Sequence, residues 1–269
     1  MQNAIRSNTA LSNDQMARVA PSIFAAAAHT SRSARYTYVP TIDVLDGLRA
    51  EGFFPVAASQ SNTRDASRRE FTKHMLRLRR STGPAVVGEE IPEIILINSH
   101  DGSSAYKMMA GMFRFVCSNG MVVASSTVDE ISVPHKGDVV GQVIEGAFRV
   151  VKEFGRVENA AQEMKAIALS DVEQHAFAGA ALVAKYGEQA GYPIGTHQVL
   201  TPRRYDDKGT DLWRVFNRTQ EALIRGGLRS RTTNGRNSRT REVRGISENV
   251  NLNRALWTLA ENMKQLKAA

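Results

Sequence analysis

IILINSHDGSSAYKMMAGMFRFVCSNGMVVAS, residues 94–125, decides the fold class. IILIN at 94–98 is a continuous apolar run of strand length, as a central strand requires. Asp101-Gly102 is a turn signal. MMAGMFRFVC at 108–117 reads as the next strand, SNG at 118–120 as another turn, and MVVAS as a further strand. Apolar runs joined by short polar turns describe an antiparallel meander.

The same stretch holds Ser99, His100, Asp101 and the single cysteine, Cys117. Three adjacent residues do not make a Ser-His-Asp triad, because the base must lie between nucleophile and acid in space. On an extended backbone Ser99 and Asp101 share one side and His100 points to the other. No G-x-S-x-G elbow is present. SHDGSS is therefore read as a turn in which Asp101 and the serines satisfy backbone donors, with a ligand contact by His100 left open. Cys117 between Val116 and Ser118 reads as a small buried filler. His135, His175 and His197 have no metal-ligand spacing, and neither a P-loop nor a G-x-G-x-x-G fingerprint occurs. No catalytic residue, metal or cofactor is expected.

Working outward, Asn13 is expected to cap NDQMARVA, and Thr41 to cap IDVLDGLRAE, which ends at Gly52. FFPVAAS at 53–59 reads as a strand, with Pro55 marking an edge or a strand start. FTKHMLRLRR at 71–80 is a strand with two unlike faces. His74, Leu76 and Leu78 line one; Lys73, Met75, Arg77 and Arg79 line the other. After Pro134, Asp138 is expected to cap a long helix buried along Val140, Ile144, Ala147, Val151 and Phe154, with Gly155 as a break. Ser170 and Glu173 fit a capping box before VEQHAFAGAALVAKYG. GYPIGTHQVLTPRR reads as a loop, and DLWRVFNRTQEALI and NLNRALWTLAENMKQL as helices. The reading is α+β, a central antiparallel β-meander packed against long helices. Its parts are an N-terminal helical arm at 1–35, a sheet core with one helix at 36–137, and a helical region at 138–269.

Charge carries the functional signal. The chain has 35 Lys and Arg against 27 Asp and Glu, a formal net charge of +8. Such an excess commonly accompanies a polyanionic partner. It concentrates in two places. Residues 64–80 hold Arg64, Arg68, Arg69, Lys73, Arg77, Arg79 and Arg80 against Asp65 and Glu70. Residues 226–245, GGLRSRTTNGRNSRTREVRG, hold Arg229, Arg231, Arg236, Arg239, Arg241 and Arg244 against Glu242, and read as an exposed loop or disordered segment. No apolar run reaches membrane-spanning length and no signal core begins the chain, so a cytoplasmic protein is expected.

VAPSIFAAAAHTSRSARYTYVPTIDVLDGLRAEGF, TKHMLRLRR and INSHDGSSAYKMMAGMFRFVCSNGM, in that order, resemble a phage/plasmid-like family catalogued as domain of unknown function 932. The resemblance implies a gene of prophages and plasmids and supplies no catalytic residues. The order of helix, antiparallel strands and long helix also resembles the core of Rad52-type single-strand annealing proteins. That likeness implies a basic groove beside a β-meander and assembly of several copies.

The expectation is a single-stranded DNA-binding protein, with annealing as its activity and homo-oligomers as its form. Arg64, Arg68, Arg69, Lys73, Arg77, Arg79 and Arg80 would meet phosphates, joined by Arg229, Arg231, Arg236, Arg239 and Arg241. Tyr36, Tyr38 and Phe71 would offer stacking surfaces. Reversing Arg77 and Arg79 to Glu is expected to weaken binding and leave the fold intact. Two alternatives stand beside this reading. One is a non-enzymatic regulator of a mobile element. The other is a metal-dependent enzyme on nucleic acid, drawing on Asp43, Asp46, Asp101, Asp129 and Glu130.

Overall fold

The computed structural model describes residues 4–32, 36–80, 90–114, 120–122, 130–188, 192–231 and 234–268. Cys117 and Asp129 lie outside them. Contacts divide the described residues into two compact units, one ending at Phe154 and one beginning at Gly155.

The first unit is an antiparallel sheet with helices. Its strands are β1 (Ala4–Arg6), β2 (Phe54–Gln60), β3 (His74–Arg79), β4 (Glu90–Asn98), β5 (Tyr106–Arg114), β6 (Gly120–Val122) and β7 (Ile131–Val133). The order is β1-β2-β3-β4-β5-β6, and β7 also pairs with β5. The fold class is thus α+β around a meander, with IILIN inside the central strand β4. Asp101-Gly102 makes the expected turn, with Gly102 at φ 80°. Asp101 Oδ1 accepts from the Ser103 amide at 2.9 Å. Pro55 sits beside a register shift between β2 and β3, where a missing N–H does least harm. The first 35 residues contribute β1 to this sheet, paired with β2.

Two helices shape one face. In α2 (Thr41–Ala50), Val44, Leu45 and Leu48 are buried. In α3 (Val139–Lys152), capped by Asp138 as expected, Val139, Val143, Gly146, Ala147 and Val150 are buried. The expected α3 stripe is therefore rotated. The Val143 side meets the sheet, where a Cβ on Gly146 would come within 2.3 Å of Met108 Cε. Val140 and Ile144 meet α2, approaching a Cβ on Gly47 to 3.1 and 3.2 Å. The first helix, α1 (Asn13–Val19), is capped by Ser12 in a box with Gln15 rather than by Asn13.

The sheet is strongly curled. The Arg6 guanidinium on β1 lies 4.6 Å from the centre of the Phe113 ring on β5. In a flat sheet, strands four places apart are about 19 Å apart, beyond an arginine's reach.

The second unit is helical: α4 (Phe154–Ala166), α5 (Asp171–Tyr186), α6 (Thr196–Leu200), α7 (Leu212–Arg225) and α8 (Ile246–Ala268). The Ser170–Glu173 capping box forms as expected. The helix α6 occupies part of the expected loop at 191–204. Trp213, Phe216 and Trp257 form the aromatic centre, with ring separations of 5.7 to 6.3 Å. Residues 226–245 are not an irregular loop. They hold an antiparallel hairpin of β8 (Arg229–Arg231) and β9 (Asn237–Arg239). Its base is tied by Gly227 N to Thr240 O at 2.8 Å and Val243 N to Ile224 O at 2.8 Å.

Gly226 begins this base at φ 62°, and a Cβ there would lie 2.5 Å from the Arg241 carbonyl oxygen. Left-handed geometry costs a side chain about 1–2 kcal/mol, and the backbone clash adds to it. Gly226→Ala should lower the melting temperature of the second unit, read by fluorescence of Trp213 and Trp257. An unchanged transition would contradict this hairpin base.

Candidate functional site

The expected basic strand face does not lie in solvent. Arg77 and Arg79 are 2% and 3% exposed, and Glu93 of β4 between them is 0% exposed. Arg77 Nε donates to Glu93 Oε2 at 2.5 Å and Arg79 Nε to Glu93 Oε1 at 2.9 Å. The Arg79 guanidinium also covers the Phe113 ring at 4.4 Å, sharing it with Arg6. Room for the pair comes from Gly111, which faces Glu93 across β4 and β5. A Cβ at Gly111 would stand 2.8 Å from Arg77 Nη2 and 2.7 Å from Ile95 Cδ1. Reversing Arg77 and Arg79 to Glu would not leave the fold intact, contrary to expectation, because both are buried on Glu93. That change would gather three carboxylates in a buried site, where charge must be paired.

The remaining cations of 64–80 are spread. Arg64, Arg68 and Arg80 are exposed, and Arg69 and Lys73 are half-buried. Arg68 pairs with Asp65 at 3.5 Å. The stacking candidates are engaged. Tyr36 stacks on His135 at 4.5 Å, Tyr38 meets His100 edge-on at 5.2 Å, and Phe71 meets His29 edge-on at 5.3 Å.

The second cluster stands in solvent. Arg229, Arg231, Arg236, Arg239 and Arg241 are all exposed. The register sets Arg229 directly opposite Arg239, and Arg231 opposite Asn237, on one face of the ribbon. Ser230 and Ser238 are paired on the other face. Like charges directly opposite are destabilising. Arg239 Nη1 donates to the Gly227 carbonyl at 3.0 Å. Among the described residues the nearby carboxylate, Glu242, pairs with Arg244 at 3.0 Å. The ribbon is held at its root by Gln198 Nε2 donating to the Arg229 carbonyl at 2.9 Å.

A second polar assembly, unforeseen from the sequence, is buried in the first unit. Its hub is Thr41 Oγ1. Pro40 occupies the N-cap position, without a side-chain cap bond, and Thr41 is the first helical residue. Its hydroxyl meets His74 Nε2 at 2.9 Å, His100 Nε2 at 3.1 Å, Asn98 Nδ2 at 3.0 Å and Tyr106 Oη at 3.3 Å. Ser22 donates to Gln60 Oε1 at 2.8 Å and meets His74 Nδ1 at 2.8 Å. His135 Nε2 lies 2.9 Å from Asn98 Oδ1.

Hydrogen-bond capacity assigns the protons. His74 Nδ1 faces the Thr72 carbonyl at 3.3 Å as well as Ser22, so it carries the hydrogen. Its Nε2 then accepts from Thr41. A hydroxyl has one donor and two acceptor sites, and Asn98 and His100 Nε2–H fill the latter. Tyr106 donates instead to the Val39 carbonyl at 3.1 Å. His100 Nδ1 and His135 Nδ1 are left buried without a hydrogen-bond partner. All three imidazoles are neutral. Burial, reinforced by neighbouring His100, pushes His74 down to about 3. Burial, reinforced by His135, pushes His100 down to about 4. Burial also lowers His135. No Ser-His-Asp relay forms, since His100 Nε2 points to Thr41.

Among the described residues no three or more His, Cys, Asp or Glu side chains are grouped to hold a metal ion. Asp46 instead pairs with Arg49 at 2.8 Å and Glu130 with Lys107 at 2.6 Å. No described helix is long and apolar enough to cross a membrane.

Residues 28–257 match the family described as "Domain of unknown function (DUF932)". The chain belongs to that family. The DUF932 chain is 51% identical over 259 residues to the UPF0380 protein YafZ of Escherichia coli K12, covering 96% of this chain and 93% of that one. It is also 51% identical over 261 residues to the UPF0380 protein YfjQ of the same organism, covering 97% and 94%. No solved structure matches, so the Rad52-type likeness gains no support from one. The three stretches that carry the DUF932 resemblance meet in the Thr41 network. Ser22 and Thr41 come from the first, His74 from the second, and Asn98, His100 and Tyr106 from the third.

Removing the carboxylate between two buried guanidinium groups leaves charge unpaired. Glu93→Ala should therefore destabilise the first unit of this DUF932 chain by about 3–5 kcal/mol. Urea unfolding followed by far-UV circular dichroism measures it, and a loss below 1 kcal/mol, as for a surface pair, would contradict the buried triad.

Proposed function

We propose that the chain binds single-stranded DNA through its phosphates and promotes annealing of complementary strands, in the setting of a phage or plasmid. The observation that carries this is the exposed arginine ribbon of β8 and β9, where Arg229 and Arg239 face one another without a carboxylate between them. Alternate residues on a strand lie about 7 Å apart, so Arg229 and Arg231 suit successive phosphates. An anionic backbone relieves their mutual repulsion and releases counterions.

The segment 226–245 contains no aromatic residue. Contacts would therefore fall on the backbone rather than on stacked bases, and the bases would stay free to pair. That is what annealing needs, whereas a stacking platform would hold them. Self-association, which would place several ribbons along one strand, belongs to the same proposal.

The test is fluorescence anisotropy with a labelled single strand and its duplex across a salt series. The wild type should bind the single strand with steep salt dependence. Arg229→Glu with Arg239→Glu preserves a like-charged pair in the ribbon, so its fold should persist. Affinity should fall at least about tenfold and the log–log salt slope by about 1.4, the value for two lost phosphate contacts. Annealing rate should fall in step. Unchanged affinity in the folded variant would remove the ribbon from the account. Tight binding of an acidic protein with negligible DNA binding would replace the proposal with a protein-partner reading.

A further inference from the structure

The Thr41 network ties two runs of the chain to the sheet. In the first run, Ser22–Arg32, Ser22 reaches His74, and the His29 amide donates to the His100 carbonyl at 3.0 Å. In the second, Tyr36–Thr41, the Thr37 amide donates to the His135 carbonyl at 3.2 Å, Tyr36 stacks on the His135 ring, and Thr41 joins His74 to His100. The two runs are also tied to each other, since the Tyr38 hydroxyl donates to the Ala25 carbonyl. Most of the side-chain and main-chain fasteners therefore sit on three histidines.

The link from the Thr41 hydroxyl to His74 Nε2 requires the neutral ring, whereas His74 Nδ1–H, His100 Nε2–H and His135 Nε2–H stay donors on protonation. A proton on His74 Nε2 would turn the acceptor of the Thr41 hydroxyl into a second donor. Thr41 Oγ1 already accepts from Asn98 and His100, so the added hydrogen has no place. Protons on His100 Nδ1 or His135 Nδ1 would arrive on buried atoms that have no hydrogen-bond partner in the neutral network, and the backbone of Ser22 beside His100 and of Ser104 and Thr37 beside His135 offsets burial only in part.

The charged surroundings do not compensate. Asp101 is the carboxylate whose charge acts on His74 and His100, and burial outweighs it at both. His100 and His74 face one another at 5.5 Å between ring centres, so a charge on either opposes a charge on the other. Arg32 acts on Tyr36, and Asp43 acts on Tyr38 and Tyr106; Tyr36 and Tyr106 pack on His135, and Tyr38 packs on His100.

We propose that the runs 22–32 and 36–41 form an acid-released strap, fastened by three neutral imidazoles around Thr41 and detached by proton uptake without unfolding of the second unit. The direction follows from linkage. A base that is neutral when fastened and free to charge when released favours the released state as pH falls below its ordinary value of about 6.5. The fastening is at full strength above that pH. It weakens as pH falls toward the lower values of His100 and then His74.

Hydrogen–deuterium exchange with peptide readout on the full chain tests this from pH 7.5 to 5.0, corrected for intrinsic exchange. Opening of peptides spanning 22–32 and 36–41 should increase more than tenfold per pH unit below about 6, because more than one proton is taken up. Peptides from α7 and α8, and the fluorescence of Trp213 and Trp257, should stay constant over the same range. His135→Gln keeps an N–H for Asn98 Oδ1 and cannot titrate, so it should reduce the pH slope. Opening that is independent of pH would overturn the proposal. So would opening that occurs only together with α7 and α8, which is global acid unfolding. If His135→Gln fails to fold, the wild-type slope and its confinement to the two runs decide alone.

Discussion

A charge cannot remain in the protein interior without a partner, and the curled sheet is organised around that constraint. Glu93 is fully buried and holds Arg77 and Arg79 together. Gly111 opposite leaves the space, and the Phe113 ring accepts the cation faces of Arg79 and Arg6. Curvature follows, because Arg6 on β1 reaches β5 only if the sheet closes on itself. The functional consequence is subtractive. Two arginines that look like ligand contacts are committed to structure, and the accessible positive charge lies elsewhere, most densely on the ribbon of β8 and β9.

The same constraint appears in neutral form at Thr41. His74, His100, an asparagine, a tyrosine and a serine are buried together with half-buried His135 beside them, and their hydrogen bonds run in one compatible direction. A buried polar network is costly when partly satisfied. Here only two ring nitrogens lack partners, and both are acceptors in the neutral state. The network therefore explains why N-terminal residues without a continuous apolar pattern are held against the sheet. It also makes their attachment sensitive to protons.

Much of the scaffold was legible in the sequence, for reasons that are local. IILIN, the Asp101-Gly102 turn, the Asp138 cap and the Ser170–Glu173 box each express their structure within a few residues. What escaped depends on partners far along the chain. The alternation in HMLRLR predicts two unlike faces, but only the register with β4 reveals that Glu93 lies among the arginines. Thr41 is a good N-cap by residue type, yet Pro40 takes that position and frees the hydroxyl for His74 and His100. In 226–245 the polar composition suggested a loop. The Asn234-Gly235 pair, with Gly235 at φ 74°, was a hairpin signal that composition outweighed.

The basic residues divide into a buried set committed to structure and an exposed set proposed to meet DNA, and arginine footprinting tests that division directly. Phenylglyoxal modification of the native chain, with and without a single-stranded oligonucleotide, would be mapped by peptide mass. The account predicts that Arg229, Arg231 and Arg239 react in the free protein and are protected by the oligonucleotide, while Arg77 and Arg79 are inert in both. Reactive Arg77 and Arg79 that become protected, with a ribbon indifferent to the oligonucleotide, would contradict it.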